Sequence, residues 1–184
     1  MPRHSLECAM VKTLLMGIAV AILGLLGYAS TQPDTFVVER AVHVQAPPDK
    51  IYPYLADFHQ WSAWSPWEKR DPAMQRRFGG AASGQGAVYA WEGNRDVGSG
   101  RMEIRSARPV SSVDLQLDFL APFEAHNTAT FTLVPQNGAT AVTWTMQGPM
   151  PLLSKVIGVI VSMDQMVGKD FEAGLANLKA IAEK

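Results

Sequence analysis

Five segments between Ala87 and Gln147 alternate apolar and polar residues with a period of two, and nothing else in the chain restricts its fold as strongly. Ala87, Tyr89 and Trp91 alternate with Val88, Ala90 and Glu92. Met102 and Ile104 alternate with Arg101, Glu103 and Arg105. Val113, Leu115, Leu117 and Phe119 alternate with Asp114, Gln116 and Asp118. Ala129, Phe131 and Leu133 alternate with Thr128, Thr130 and Thr132, and Val142, Trp144 and Met146 with Thr143, Thr145 and Gln147. Side chains of a strand point to opposite faces in turn, so each segment is a strand with one dry and one wet side. Connections of hairpin length, such as Gln136-Asn137-Gly138, make the sheet antiparallel. Two earlier strands, Phe36 to Ala46 and Met74 to Phe78, bring the count to six or seven.

A sheet with one dry face needs a cover, and only Pro151–Lys184 can supply it. Val156, Ile160, Met163, Val167, Phe171, Leu178 and Ile181 recur there at steps of three and four, the spacing of one helix face. A continuous helix over 152–183 would span roughly 45–50 Å at 1.5 Å per residue. Residues 152–163 are apolar nearly all round, which predicts a second covering surface for that part, and Gly158 and Gly168 are places where the helix can bend. Sheet and helix together make an α+β architecture.

The remaining stretches are shorter. Pro47-Pro48 ends the first strand, and a short helix over 48–57 follows, with Pro53 tolerated in its first turns. Trp61, Trp64 and Trp67 then come at steps of three, as a turn or short helix that caps the core or rims a pocket. The Gly79–Gly86 loop has no Gly-Lys-Ser/Thr after it and leads into a strand, so it is not a phosphate loop.

Before all this lies a leader. Thr13 to Ala29 carries no charge, and Ala9 to Val11 extend it past Lys12. It sits near the lower end of what spans a bilayer, about 17–25 residues. We expect 1–12 as a cytoplasmic N-terminus, 13–30 as a transmembrane anchor and 31–184 as the folded domain. Arg3, His4 and Lys12 before the apolar run place the domain on the outer, periplasmic or extracellular side. The rival expectation is a signal peptide cut after Gly27-x-Ala29, which would release a secreted domain. The only cysteine, Cys8, lies in the leader, so the domain has neither disulfides nor cysteine metal sites. The net charge of -1 and the lack of a long basic run speak against nucleic acid.

The inward parity holds large apolar residues and no Asp, Glu, His or Lys. A strongly curved sheet set against a single helix leaves a void unless side chains fill it. Met102, Met146, Met163 and Met166 suit an adaptable wall, and a filled core equally. The expected ligand-contacting set is Trp61, Trp64, Trp67, Tyr89, Trp91, Met102, Leu117 and Phe119, with Phe131, Trp144, Met146, Val156, Ile160, Met163, Val167 and Phe171. The entrance is expected near the N-terminal half of the long helix. Acid–base candidates exist only at element ends, His59, Glu124, His126, Asp164 and Asp170, so we assign no catalytic residue, metal or cofactor.

Several stretches carry a resemblance. Val44-x-Ala46-Pro47-Pro48-x-x-Ile51-Tyr52 and Leu55-Ala56-Asp57-Phe58-x-x-Trp61-x-x-Trp64-Ser65-Pro66-Trp67 resemble the start of a bacterial SRPBCC (START/Bet v 1-like) protein of the polyketide cyclase/dehydrase group. Gly84-x-Gly86-Ala87-x-Tyr89-x-Trp91, Gly98-x-Gly100-x-Met102, Thr140-x-Val142-x-Trp144-x-Met146 and Asp170-Phe171-Glu172-x-Gly174-Leu175 continue the likeness over roughly 36–183. The resemblance implies the helix-grip fold, a curved sheet wrapped around the C-terminal helix, with an apolar cavity between them. Across that superfamily such cavities take lipids, polyketides, quinones or hormones. The expected function is therefore a membrane-anchored binder or carrier of a hydrophobic small molecule or lipid, leaning away from an enzyme. The alternatives are a cyclase- or dehydratase-like enzyme on a hydrophobic substrate and a co-chaperone-like interaction module.

Overall fold

The computed structural model describes residues 3–184, with side chains from Met10 onward. The start of the expected cytoplasmic N-terminus, and the side chains of Arg3, His4 and Cys8, lie outside the described residues. The chain divides into two compact units, Met1–Asp34 with Met150–Ser162, and Thr35–Pro149 with Met163–Lys184.

The larger unit is built on seven strands: β1 (Thr35–Val44), β2 (Gln75–Gly80), β3 (Ala87–Glu92), β4 (Ser99–Arg108), β5 (Ser112–Ala121), β6 (Ala125–Gln136) and β7 (Ala139–Pro149). They form one antiparallel sheet in the order β1-β7-β6-β5-β4-β3-β2. From β2 to β7 each strand pairs with the next in sequence. β1 instead closes onto β7, with Thr35 opposite Pro149 and Val44 opposite Thr140.

The alternation falls as expected. Ile104, Val113, Phe131 and Val142 are fully buried on the dry face, beside Leu115, Leu133, Trp144 and Met146. The wet face carries ion pairs, Arg101 to Glu103 at 2.6 Å and Arg105 to Glu103 at 2.9 Å. Between β1 and β2 come α2 (Pro48–Ala56) and two 3-10 turns, Phe58–Ala63 and Pro66–Lys69. They pack Ile51, Leu55, Phe58 and Trp61 into the same core.

The long C-terminal helix of the larger unit is α4 (Met163–Ala182), which packs on β1, β7, α2 and both 3-10 turns through Phe171, Leu175 and Leu178. The continuous helix expected over 152–183 is corrected. Leu152–Gly158 forms a separate short helix, α3, and 159–162 is non-helical. The physical reason lies in Gly158-Val159-Ile160-Val161. Glycine weakens a helix interior, and a run of β-branched residues loses side-chain freedom in one.

Gly168, expected as a bend, sits instead inside unbroken α4. Arg40 of β1 passes over it, and a Cβ at Gly168 would collide with the Arg40 guanidinium. Arg40 ties β1 to α4 through Asp164 and Glu172, both at 2.7 Å.

In the smaller unit, α1 (Arg3–Ser30) and α3 pack on each other. The Met150 amide donates to the Asp34 carbonyl at 2.7 Å, and Lys155 Nζ donates to Asp34 Oδ1 at 2.6 Å. Within α1, Met10–Ser30 is 21 residues long and apolar enough to cross a membrane.

Candidate functional site

The dry face of the sheet does not close completely on α4. A cavity of about 360 Å³ remains between β3–β7, the 3-10 turns and the N-terminal half of α4. Of the residues expected to contact a ligand, Trp61, Trp67, Tyr89, Trp91, Met102 and Leu117 line it. Phe119, Trp144, Met146, Val167 and Phe171 complete the lining from that set. Five others lie elsewhere. Trp64 and Phe131 are sealed in the core at full burial, because Trp64 stands edge-on to Phe131 and Trp144 at 5.8 and 5.6 Å. Met163 is half-buried against the core outside the cavity. Val156 and Ile160 belong to the segment that the broken helix assigns to the smaller unit. The exposed lining residues Arg70, Arg95, Asp96, Ala121, Pro122 and Met166 mark the mouth.

Aromatic rings order this wall. Trp144 stacks on Phe171 at 4.0 Å and 7°, and Trp67 meets both edge-on at 5.7 and 6.2 Å. Such pairs contribute about 0.5–1.5 kcal/mol each beyond area burial. Trp91 meets Phe119 edge-on at 5.8 Å. Gly100 makes room for it, since a Cβ there would stand 2.5 Å from Trp91 Cζ2 and 2.5 Å from the Asp118 carbonyl oxygen. Gly100→Ala should therefore cost about 1–3 kcal/mol by overpacking. Thermal unfolding, with a change in the near-ultraviolet tryptophan spectrum, checks this.

Polar groups enter the wall at few points. Glu68 lines the cavity with its side chain 8% exposed. It accepts from Tyr89 Oη at 2.5 Å and from Arg76 Nε at 2.6 Å. Burial, then the bond to Glu68, pushes the Tyr89 hydroxyl well above its usual range, so it stays a protonated donor. The Arg76 guanidinium is held protonated by the same carboxylate. Asp170 of α4 pairs with Arg70 at the mouth. Trp61, Trp64 and Trp91 each donate the indole N–H to a backbone carbonyl. The Trp144 N–H has no partner and, among the described residues, is the only buried side-chain polar group so placed.

The acid–base candidates of the sequence mostly fall outside. His59 is bonded to Asp57 at 2.8 Å and stacked on Phe78. His126 is bonded to Asp118 at 2.8 Å and, like Glu124 3.4 Å from it, is exposed. Asp164 is tied to Arg40, whose guanidinium holds the carboxyl below the usual range. Only Asp170 reaches the cavity. Glu68, the deepest carboxylate in the wall, was missed: it follows Trp67 in a four-residue 3-10 turn too short for periodicity to orient. Among the described residues no group of three or more His, Cys, Asp or Glu side chains is placed to hold a metal ion.

A family profile described as polyketide cyclase / dehydrase and lipid transport matches residues 35–183. The chain belongs to that family. Solved structures share its helix-grip fold, an antiparallel sheet with a long C-terminal helix. A Chromobacterium violaceum protein is 15% identical with a TM-score of 0.56, over 83% of this chain and 99% of its own. The Aha1 dimer protein from Colwellia psychrerythraea is 17% identical with a TM-score of 0.57, over 80% and 96%. The di-domain ARO/CYC protein StfQ of the steffimycin biosynthetic pathway is 15% identical with a TM-score of 0.60, over 81% of this chain and 51% of StfQ. At such identities the likeness establishes the fold. No curated protein matches the chain.

Proposed function

We propose that the protein is a membrane-anchored binder or carrier of a hydrophobic small molecule or lipid. The observation that carries this reading is the apolar cavity of about 360 Å³ walled by Trp67, Trp91, Phe119, Trp144 and Phe171. Ligand cavities fall at about 300–1,000 Å³. The small end of that range favours a compact ring system or a single acyl chain over a two-chain lipid. Residues 1–12 would lie in the cytoplasm, 13–30 in the membrane and 31–184 on the outer side, where the tether shortens the path of an apolar ligand leaving the bilayer. Cleavage after Ala29 would instead release the same binder.

Solvent extraction and native mass spectrometry of purified residues 31–184 test the reading. An apolar molecule in near-equimolar amount is expected. A domain that arrives empty and takes up no N-phenyl-1-naphthylamine removes the carrier.

One observation favours an enzyme as the second reading: Glu68 and Tyr89 of the cavity wall form an acid–phenol pair, which the half-buried Arg76 outside the lining extends through Glu68. Both Glu68 oxygens already accept strong hydrogen bonds, which suits a structural clamp better than a proton shuttle.

A further inference from the structure

We propose that Met150–Ser162 is a second membrane-contacting segment, seated in the lipid interface beside the exit of α1. The inference rests on reading α1 as a retained anchor. Leu152, Leu153, Ile157, Ile160 and Val161 are all exposed, Leu153 at 71% and Ile160 at 80%. A contiguous apolar surface of this kind marks a site that something covers.

Several observations select lipid as the cover. The segment belongs to the same compact unit as the candidate membrane span and packs on it. Its bonds to α1's end, Met150 to the Asp34 carbonyl and Lys155 to the Asp34 carboxylate, fix it at the exit of the span. Tyr28, exposed in the last turns of α1, marks that level as the membrane–water boundary, where amphipathic rings concentrate.

Charge fits as well. Lys155 is the only charged residue from Met150 to Ser162, and it is 7% exposed with its ammonium on Asp34. That ammonium holds the Asp34 carboxyl below its usual range, and the two opposite charges lie together, so no lone charge faces outward. The turn after α3 also satisfies its own amides, with Val159 donating to Lys155 and Ile160 and Val161 to Ile157. Backbone bonded internally enters an apolar medium without unpaired groups. At thirteen residues the segment is too short to span a bilayer, which takes about 20, so it lies in the interface plane.

Site-directed fluorescence tests this on the full chain with Cys8→Ser. Single cysteines at Ile160 and Leu153 report on the segment, one at Leu15 on α1, and one at Thr132 on the wet sheet face. Each is labelled with a nitrobenzoxadiazole and reconstituted into phosphatidylcholine–phosphatidylglycerol vesicles containing headgroup-proximal nitroxide lipid. Labels at Ile160 and Leu153 are expected to be quenched several-fold more than at Thr132, with blue-shifted emission and little quenching by iodide. Iodide quenching equal to Thr132 overturns the proposal. So does protection from both quenchers, which means that a protein surface, such as a second copy, covers the segment. A Leu15 label open to iodide removes the anchor, and the proposal with it; a protected Leu15 beside an iodide-open Ile160 overturns the proposal alone.

Discussion

Phe131→Ala is expected to destabilise the domain by about 3–5 kcal/mol, the range for removing a large ring from a core. Phe131 is fully buried on β6. It meets Trp61 and Trp64 edge-on at 6.0 and 5.8 Å and tilts onto Trp144 at 4.8 Å. Those three indoles are too rigid to collapse into the space, and two of them are pinned by N–H bonds to Leu55 and Tyr54 carbonyls. The loss therefore combines transfer, ring contacts and an unrelaxed cavity. For a domain of this size each kcal/mol moves the midpoint by about 2–4 °C, so thermal unfolding of residues 31–184 should shift down by about 6–20 °C. Ile160→Ala measured beside it, without lipid, should stay within about 0.5 kcal/mol because its side chain is exposed. A shift below 1 kcal/mol for Phe131→Ala would falsify the packed aromatic cluster.

Much of this was legible in the sequence, for a physical reason. Alternation with period two reports one dry face, and hairpin-length loops report neighbours, so β3 to β7 could be read strand by strand. Pairing of β1 with β7 could not, because about a hundred residues separate the partners and neither carries a mark for the other. The helix break was visible as Gly158-Val159-Ile160-Val161 but was overridden by the apolar spacing that crosses it. Inside the site, period-two residues such as Tyr89, Met102 and Trp144 were readable. Glu68 and Arg70 were not, because a four-residue 3-10 turn and its cap have no face that periodicity can assign. Trp61, Trp64 and Trp67 share a spacing of three, yet Trp64 goes to the core and the other two to the cavity. That difference is set by Phe131 and Trp144 arriving from the sheet, which local sequence does not contain.

Ala129→Trp should abolish ligand uptake while the domain stays folded, with a loss of more than tenfold in affinity for N-phenyl-1-naphthylamine, or above about 1.4 kcal/mol. Ala129 lies on β6 with Leu115 and Met146 opposite it, and all three line the cavity. An indole at that position projects into free space rather than into packed side chains. Overpacking would therefore cost at or below the usual 1–3 kcal/mol, and circular dichroism should remain that of the parent. Fluorescence titration of residues 31–184 separates this site from a second candidate on the surface. A shallower depression of about 170 Å³ lies between His59, Phe78 and the Gly79–Ala82 stretch, and Ala129 does not line it. Binding there would be untouched by Ala129→Trp and weakened by Phe78→Ala. An unchanged affinity in Ala129→Trp would thus move the ligand out of the sheet–helix interior.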